Sequence, residues 1–259
     1  MSSCIVELER TDGVAVLTIN NPPLNLVTME LTARMDELLQ ELAADDGLRA
    51  LVVTGGGERA FCAGSDIREF PEFFERRLDP VKSKVEPENE MYRRLAEFPV
   101  PTVAAVNGTA LGGGLELALA CDLIVTEDRA RLGLPELRLG VFPGSGGTFR
   151  LARRIGLGRA RELIYLCDSI DARTALEWGL VNRVAPAGEA LRTAVDLAHR
   201  IAASSPQALR LCKKAVSRSF LPDETDGITG LIPLIEQAFL ADDIKEGVRA
   251  FLAKEPPQF

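Results

Sequence analysis

Through about residue 185 the chain alternates short runs of β-branched and apolar residues with longer stretches of helical spacing. This alternation restricts the fold more than any other feature, because strands separated by helices have the crossover length that parallel pairing needs. Residues 4–9 and 13–19 flank Thr11-Asp12-Gly13 and predict a hairpin, which Asn20-Asn21-Pro22-Pro23 ends. Thr28 is placed to cap a helix over Met29 to Leu42, with Leu31, Met35, Leu38, Leu39 and Leu42 at helical spacing. Leu51–Thr54, Thr102–Val106, Leu123–Thr126 and Val181–Val184 read as buried strands. Residues 66–98 read as helical, broken by Pro80 and Pro87. Asp171 caps a helix through Trp178 that Gly179 ends. From Glu189 onward the pattern is helical, with Ser205-Pro206 as a cap and first-turn pair. The expectation is an α/β core over residues 1–200 and a C-terminal helical region over 201–259.

Composition narrows the function classes. A chain of 259 residues that is 46% hydrophobic and 26% charged is ordinary globular material. At this length roughly three quarters of the unfolded surface can be buried, so no staple is needed. A net charge of −8 argues against bulk nucleic-acid binding. No apolar run reaches the ~20 residues of a membrane span, and the segment Met1 to Glu7 lacks the basic and apolar regions of a signal peptide. The cysteines Cys4, Cys62, Cys121, Cys167 and Cys212 are widely spaced and form no CxxC pair, which suggests reduced thiols in the cytoplasm and no zinc ribbon. His199 is the single histidine. A two-histidine zinc site is therefore impossible, and a Ser-His-Asp triad would have to use a residue in an amphipathic helix. Neither GxxxxGK[ST] nor GxSxG occurs.

Four segments could carry chemistry. Gly112-Gly113-Gly114 stands directly before a short apolar helix ending at Ala120. Such glycines either bring two backbones together or leave N–H groups free at the positive end of a helix dipole, where an oxyanion could sit. Glu116, two residues on, is a carboxylate in an otherwise apolar first turn. It is either a dipole-compensating group or an acid–base with a pKa raised by burial. Glu136, in Leu134-Pro135-Glu136-Leu137, is a second isolated acid; paired carboxyls in different surroundings are a standard acid–base arrangement. The stretch Arg59 to Ile67 follows a strand and combines small residues with a glycine, as exposed backbone N–H groups would need. Gly144-Ser145-Gly146-Gly147 is only loosely like a phosphate loop.

Together these segments resemble the crotonase superfamily, the enoyl-CoA hydratase/isomerase family, over about residues 5–257. The likeness lies in Ala60-Phe61-Cys62-Ala63-Gly64-Ser65-Asp66-Ile67, in PTVAAVNGTALGGGLELALACD from Pro101 to Asp122, in Leu134 to Gly140, in Pro143 to Thr148 and in Ala175 to Val181. The resemblance implies a spiral of repeated ββα units, a C-terminal helical region that builds a homotrimer, and often a hexamer of two trimers. It implies an acyl-CoA thioester substrate with no separate cofactor or metal. The N–H groups of Ser65 and Gly113 would form an oxyanion hole. Ala60, Cys62, Ala63, Gly64, Asp66, Ile67 and Gly112 would line the CoA and substrate path, and Glu116 and Glu136 would be catalytic. Hydration of a 2-enoyl thioester is the favoured activity; double-bond isomerisation and a non-catalytic or RNA-binding role are the alternatives. Phe70, Phe73, Phe74 and Tyr92 either shape the acyl pocket or face the core. Arg59, Arg68, Lys213, Lys214 and Lys254 are candidates for the CoA phosphates.

Overall fold

The computed structural model describes residues 5–77, 79–220 and 224–259; Cys4 and the side chain of Phe74 lie outside what it describes. Strands β1 (Val6–Thr11) and β2 (Val14–Ile19) pair antiparallel about Asp12 and Gly13, whose φ values of 50° and 77° suit a two-residue hairpin turn. Thr28 caps α1 (Met29–Ala43) as expected, its hydroxyl accepting from the Leu31 N–H. Then follow β3 (Ala50–Gly55), β4 (Ala60–Cys62), α2 (Phe70–Glu75) and α3 (Glu86–Ala96). Next come β5 (Thr102–Val106), β6 (Thr109–Leu111), α4 (Gly113–Ala120), β7 (Leu123–Glu127) and β8 (Arg131–Gly133).

Beyond these lie α5 (Gly147–Ile155), α6 (Leu157–Leu166), β9 (Ser169–Asp171), α7 (Ala172–Glu177) and β10 (Arg183–Ala185). The C-terminal helices are α8 (Ala190–Ala202), α9 (Pro206–Ser217), α10 (Glu224–Thr229), α11 (Ile232–Leu240) and α12 (Asp242–Ala253).

The strands sort into two sheets. One is ordered β1-β2-β3-β5-β7-β10 and the other β4-β6-β8-β9. Pairing is parallel except at β1/β2 and β8/β9. Three times in succession the chain lays one strand in the large sheet and the next in the small one: β3 then β4, β5 then β6, β7 then β8. That is the expected coil of strand pairs. The core fills both faces: α8 covers one side of the large sheet with Ala190, Ala194 and Ala198, while α1, α3 and α4 pack on the other.

Three local expectations change. The last strand begins at Arg183, because Leu180 and Val181 are drawn into the core ahead of it. Pro87 does not break the helix: a π turn over Val81–Val85 runs directly into α3, with Pro87 in its first turn, where a missing N–H costs least. The strands β4, β6, β8 and β9 are three residues each and have no signature of their own. No helix among the described residues is long and apolar enough to cross a membrane.

Candidate active site

β4, β6 and β8 lie side by side and parallel in the small sheet, and each is followed at its C-terminal end by a residue of interest: Ser65, Gly113 and Glu136. Open ends of parallel strands are where α/β folds place their ligands. A cleft of about 590 Å³ opens there, walled by Leu26, Phe70, Val85, Leu139, Val141 and Phe142, with Ser65, Gly113, Glu116 and Glu136 on its floor.

The three glycines answer three different demands. Gly112 takes φ 54° and ψ −131°, a backbone open only to glycine, and turns the chain into α4. Gly114 lets the helix touch β4: a Cβ there would stand 1.9 Å from the Cys62 carbonyl oxygen. Gly113 faces Ser65, a Cβ at Gly113 lying 3.6 Å from the Ser65 nitrogen. Neither the Ser65 N–H nor the Gly113 N–H reaches an acceptor among the described residues. Close packing thus falls to Gly114 and the free N–H to Gly113.

Glu116 is buried on α4. Its Oε1 accepts from the N–H groups of Ser145 and Gly147, both at 2.8 Å. The loop that loosely resembled a phosphate cradle thus holds the protein's own carboxylate. Arg150 fixes it, donating to the Ser145 carbonyl at 2.9 Å. Burial raises the Glu116 pKa to about 7; the Gly147 N–H opposes the rise and the nearby Glu136 adds to it. Glu136 opens a 3₁₀ turn over Glu136–Leu139. Both of its carboxyl oxygens are buried with no hydrogen-bond partner among the described residues, and burial raises its pKa as well. A buried polar atom without a partner is costly and rare, and calls for a ligand or solvent contact.

The other predicted residues divide. Ala63, Gly64, Asp66, Ile67 and Gly112 line the cleft. Ala60 and Cys62 do not: both are fully buried in β4. Burial pushes the Cys62 thiol up to about 12, so it is no nucleophile. Arg68 is at the cleft but engaged with Asp66 at 2.6 Å. Lys213 is tied to Asp122 at 2.7 Å and to the Val100 carbonyl, and is absent from the cleft lining. Arg59, Lys214 and Lys254 are absent from the cleft lining, as is His199 on α8. Phe70 lines the cleft, whereas Phe73 and Tyr92 are buried in the core. Sequence reasoning missed Lys84 and Glu88, both buried at the cleft wall. Their spacing of four within a charged helical stretch was the available signal.

A family model described as enoyl-CoA hydratase/isomerase matches residues 9–259. The chain belongs to the enoyl-CoA hydratase/isomerase family. Among its relatives is the short-chain-enoyl-CoA hydratase of Clostridium acetobutylicum, 38% identical over 252 residues, covering 96% of this chain and 95% of that one. The structure of an enoyl-CoA hydratase from Bacillus anthracis superposes with a TM-score of 0.94 at 35% identity, covering 99% of both chains. DspI of Pseudomonas aeruginosa superposes with a TM-score of 0.88 at 35% identity, covering 100% of this chain and 99% of that one. The crotonase fold expected from the sequence is the fold found.

Proposed function

We propose that the protein hydrates a 2-enoyl-CoA thioester to the 3-hydroxyacyl thioester, with Glu116 and Glu136 moving the protons and the Ser65 and Gly113 N–H groups holding the thioester oxygen. The observation that carries this reading is the convergence on one cleft of two carboxyls with raised pKa values and two unengaged backbone donors. Water's oxygen bonds to the β-carbon while the α-carbon gains a proton, and charge gathers on the thioester oxygen between these steps. Two fixed N–H donors suit that charge and are worth ~3–4 kcal/mol each. Glu116 keeps Oε1 occupied by the 143–147 loop, which leaves Oε2 to orient the water and take its proton. Glu136, unpaired and biased toward its neutral form, delivers a proton to the α-carbon. The conjugated thioester is its own electron sink, so this chemistry calls for no resident cofactor or metal; CoA enters as part of the substrate. The test is crotonyl-CoA: loss of the enoyl absorbance with a product heavier by one water supports the reading. An unchanged spectrum, with turnover of a 3-enoyl-CoA instead, would replace it with isomerisation.

The rate should depend on pH in a defined sense. Glu116 acts as base in its ionised form, so kcat/KM for crotonyl-CoA is expected to rise with pH and level off above about 7. Glu136 acts in its neutral form, which burial favours, so its ionisation works against that rise. The two groups interact, so the limbs belong to the pair. A flat profile from pH 5 to 9 would remove both from the chemistry.

We also assign the protein to a homotrimer, or a hexamer built as a dimer of trimers, in the cytoplasm. The apolar surface of the last two helices supports self-association: Ile232, Ile235, Phe239, Leu240, Val248, Phe251 and Leu252 are all exposed on the single chain. Reduced thiols at Cys62, Cys121, Cys167 and Cys212 accord with a reducing compartment. Light scattering is expected to give a mass three or six times the 28.1 kDa of one chain; a monomer would overturn the assignment.

A further inference from the structure

Helix α3 touches both halves of the donor pair. Glu88 and Tyr92 stand one helical turn apart on its buried face. The Ser65 hydroxyl donates to the Glu88 carboxylate at 3.1 and 3.2 Å. The Tyr92 hydroxyl, fully buried, donates to the Gly113 carbonyl at 2.9 Å. Glu88 is fixed in turn by Lys84 at 3.0 Å, and the buried Lys84 ammonium also meets Glu69 at 2.7 Å and the Val27 carbonyl at 3.1 Å. Val27 flanks the Ser65 loop from the other side: its N–H donates to the Gly64 carbonyl and its carbonyl accepts from the Asp66 N–H, both at 2.9 Å. All three donors of Lys84 are thereby used, so this buried cation is not free to bind a ligand. Met91 and Leu95 anchor the same helix in the core, and Arg94 ties it to Asp36 on α1 at 2.7 Å.

We propose that Glu88 and Tyr92 are positioning residues: α3 clamps Ser65 through one and Gly113 through the other, and so sets the separation and aim of the two oxyanion donors. This rests on the oxyanion-hole reading of Ser65 and Gly113. Neither side chain needs to touch the reacting atoms. Desolvation offsets most of what a buried Lys84–Glu88 pair gains in attraction, but the pair leaves the Glu88 carboxylate with a fixed partner. Donors set a few tenths of an ångström wide of the oxygen lose much of their worth in the transition state while ground-state binding of the CoA portion is retained.

The test uses the full-length enzyme, crotonyl-CoA kinetics, and a dialkylaminocinnamoyl-CoA as probe, whose absorbance shifts red when its thioester carbonyl is polarised. Tyr92→Phe keeps the ring in the core and removes only the hydroxyl. Ser65→Ala keeps the N–H and releases it from Glu88. Each is expected to lower kcat about tenfold with KM changed less than threefold, and to lose a large part of the red shift. The double variant should lose nearly all of it. Glu88→Gln, which keeps an acceptor for the serine, should fall between Ser65→Ala and wild type. Red shifts and kcat within twofold of wild type in both single variants would overturn the clamp while leaving the oxyanion hole standing. Absence of any red shift in the wild-type complex would overturn the oxyanion-hole reading and the clamp with it.

Discussion

Glu116→Gln and Glu136→Gln should each lower kcat for crotonyl-CoA hydration by ~10²–10⁴-fold, the usual range for a positioned general acid or base. CoA-ester affinity should change little, because neither carboxyl accepts a hydrogen bond from the residues expected to hold the CoA portion. The glutamine at position 116 can still accept from the Ser145 and Gly147 N–H groups, so the 143–147 loop keeps its place. The same substitution should stabilise the fold at alkaline pH. In the folded chain Glu116 binds its proton up to about pH 7, against an ordinary value of 4.5. A carboxyl raised in this direction costs nothing below its unfolded pKa. The cost grows as pH rises from about 4.5 and is complete above about 7. That difference corresponds to about 3 kcal/mol at most. Glu116→Gln removes the cost, so its melting temperature should exceed wild type at pH 8 and converge with it near pH 4.5. A variant that retained near-normal hydration would end the two-carboxyl mechanism. A variant that was inactive but destabilised at pH 8 would mean that Glu116 is a structural group.

Gly114→Ala should prevent accumulation of folded protein. The added methyl would lie 1.9 Å from the Cys62 carbonyl oxygen and 2.6 Å from its carbon. Both are main-chain atoms of β4, which cannot swing aside as a flexible side chain would. Separating α4 from β4 would open the core around Leu115, Leu117 and Phe61, all fully buried. Overpacking of this kind costs ~3 kcal/mol or more, a large share of a domain's total stability. Gly158→Ala is the matched control. It lies inside α6 with open space at its Cβ, and should be neutral or stabilising by ~0.5–1 kcal/mol. Soluble yield and thermal unfolding read both. If Gly114→Ala folded with wild-type stability, the close approach of helix and strand would be wrong.

What could be read from the sequence tracks the length and isolation of the signal. The large sheet was legible because its central strands are five or six residues long and carry the apolar runs 50–53, 103–106 and 123–125. The small sheet was not, since a three-residue strand is shorter than any usable period. Glu116 and Glu136 were legible because each stands alone among apolar neighbours. Glu88 and Lys84 were not, because they sit in a run rich in Lys, Arg and Glu, where a buried pair looks like a solvated one. The 143–147 loop is only loosely like an anion cradle in sequence, because the carboxylate it binds comes from α4, about thirty residues earlier in the chain.

The division of labour in the cleft has an evolutionary consequence. The groups proposed to hold the thioester oxygen are main-chain atoms, which survive almost any codon change that leaves the loop path intact. The groups proposed to move protons are side chains, and a single nucleotide substitution can replace either. Drift in a gene of this kind therefore alters which proton is transferred before it alters the capacity to polarise a thioester. A descendant that lost Glu116 or Glu136 would inherit a working acyl-CoA scaffold open to a different reaction.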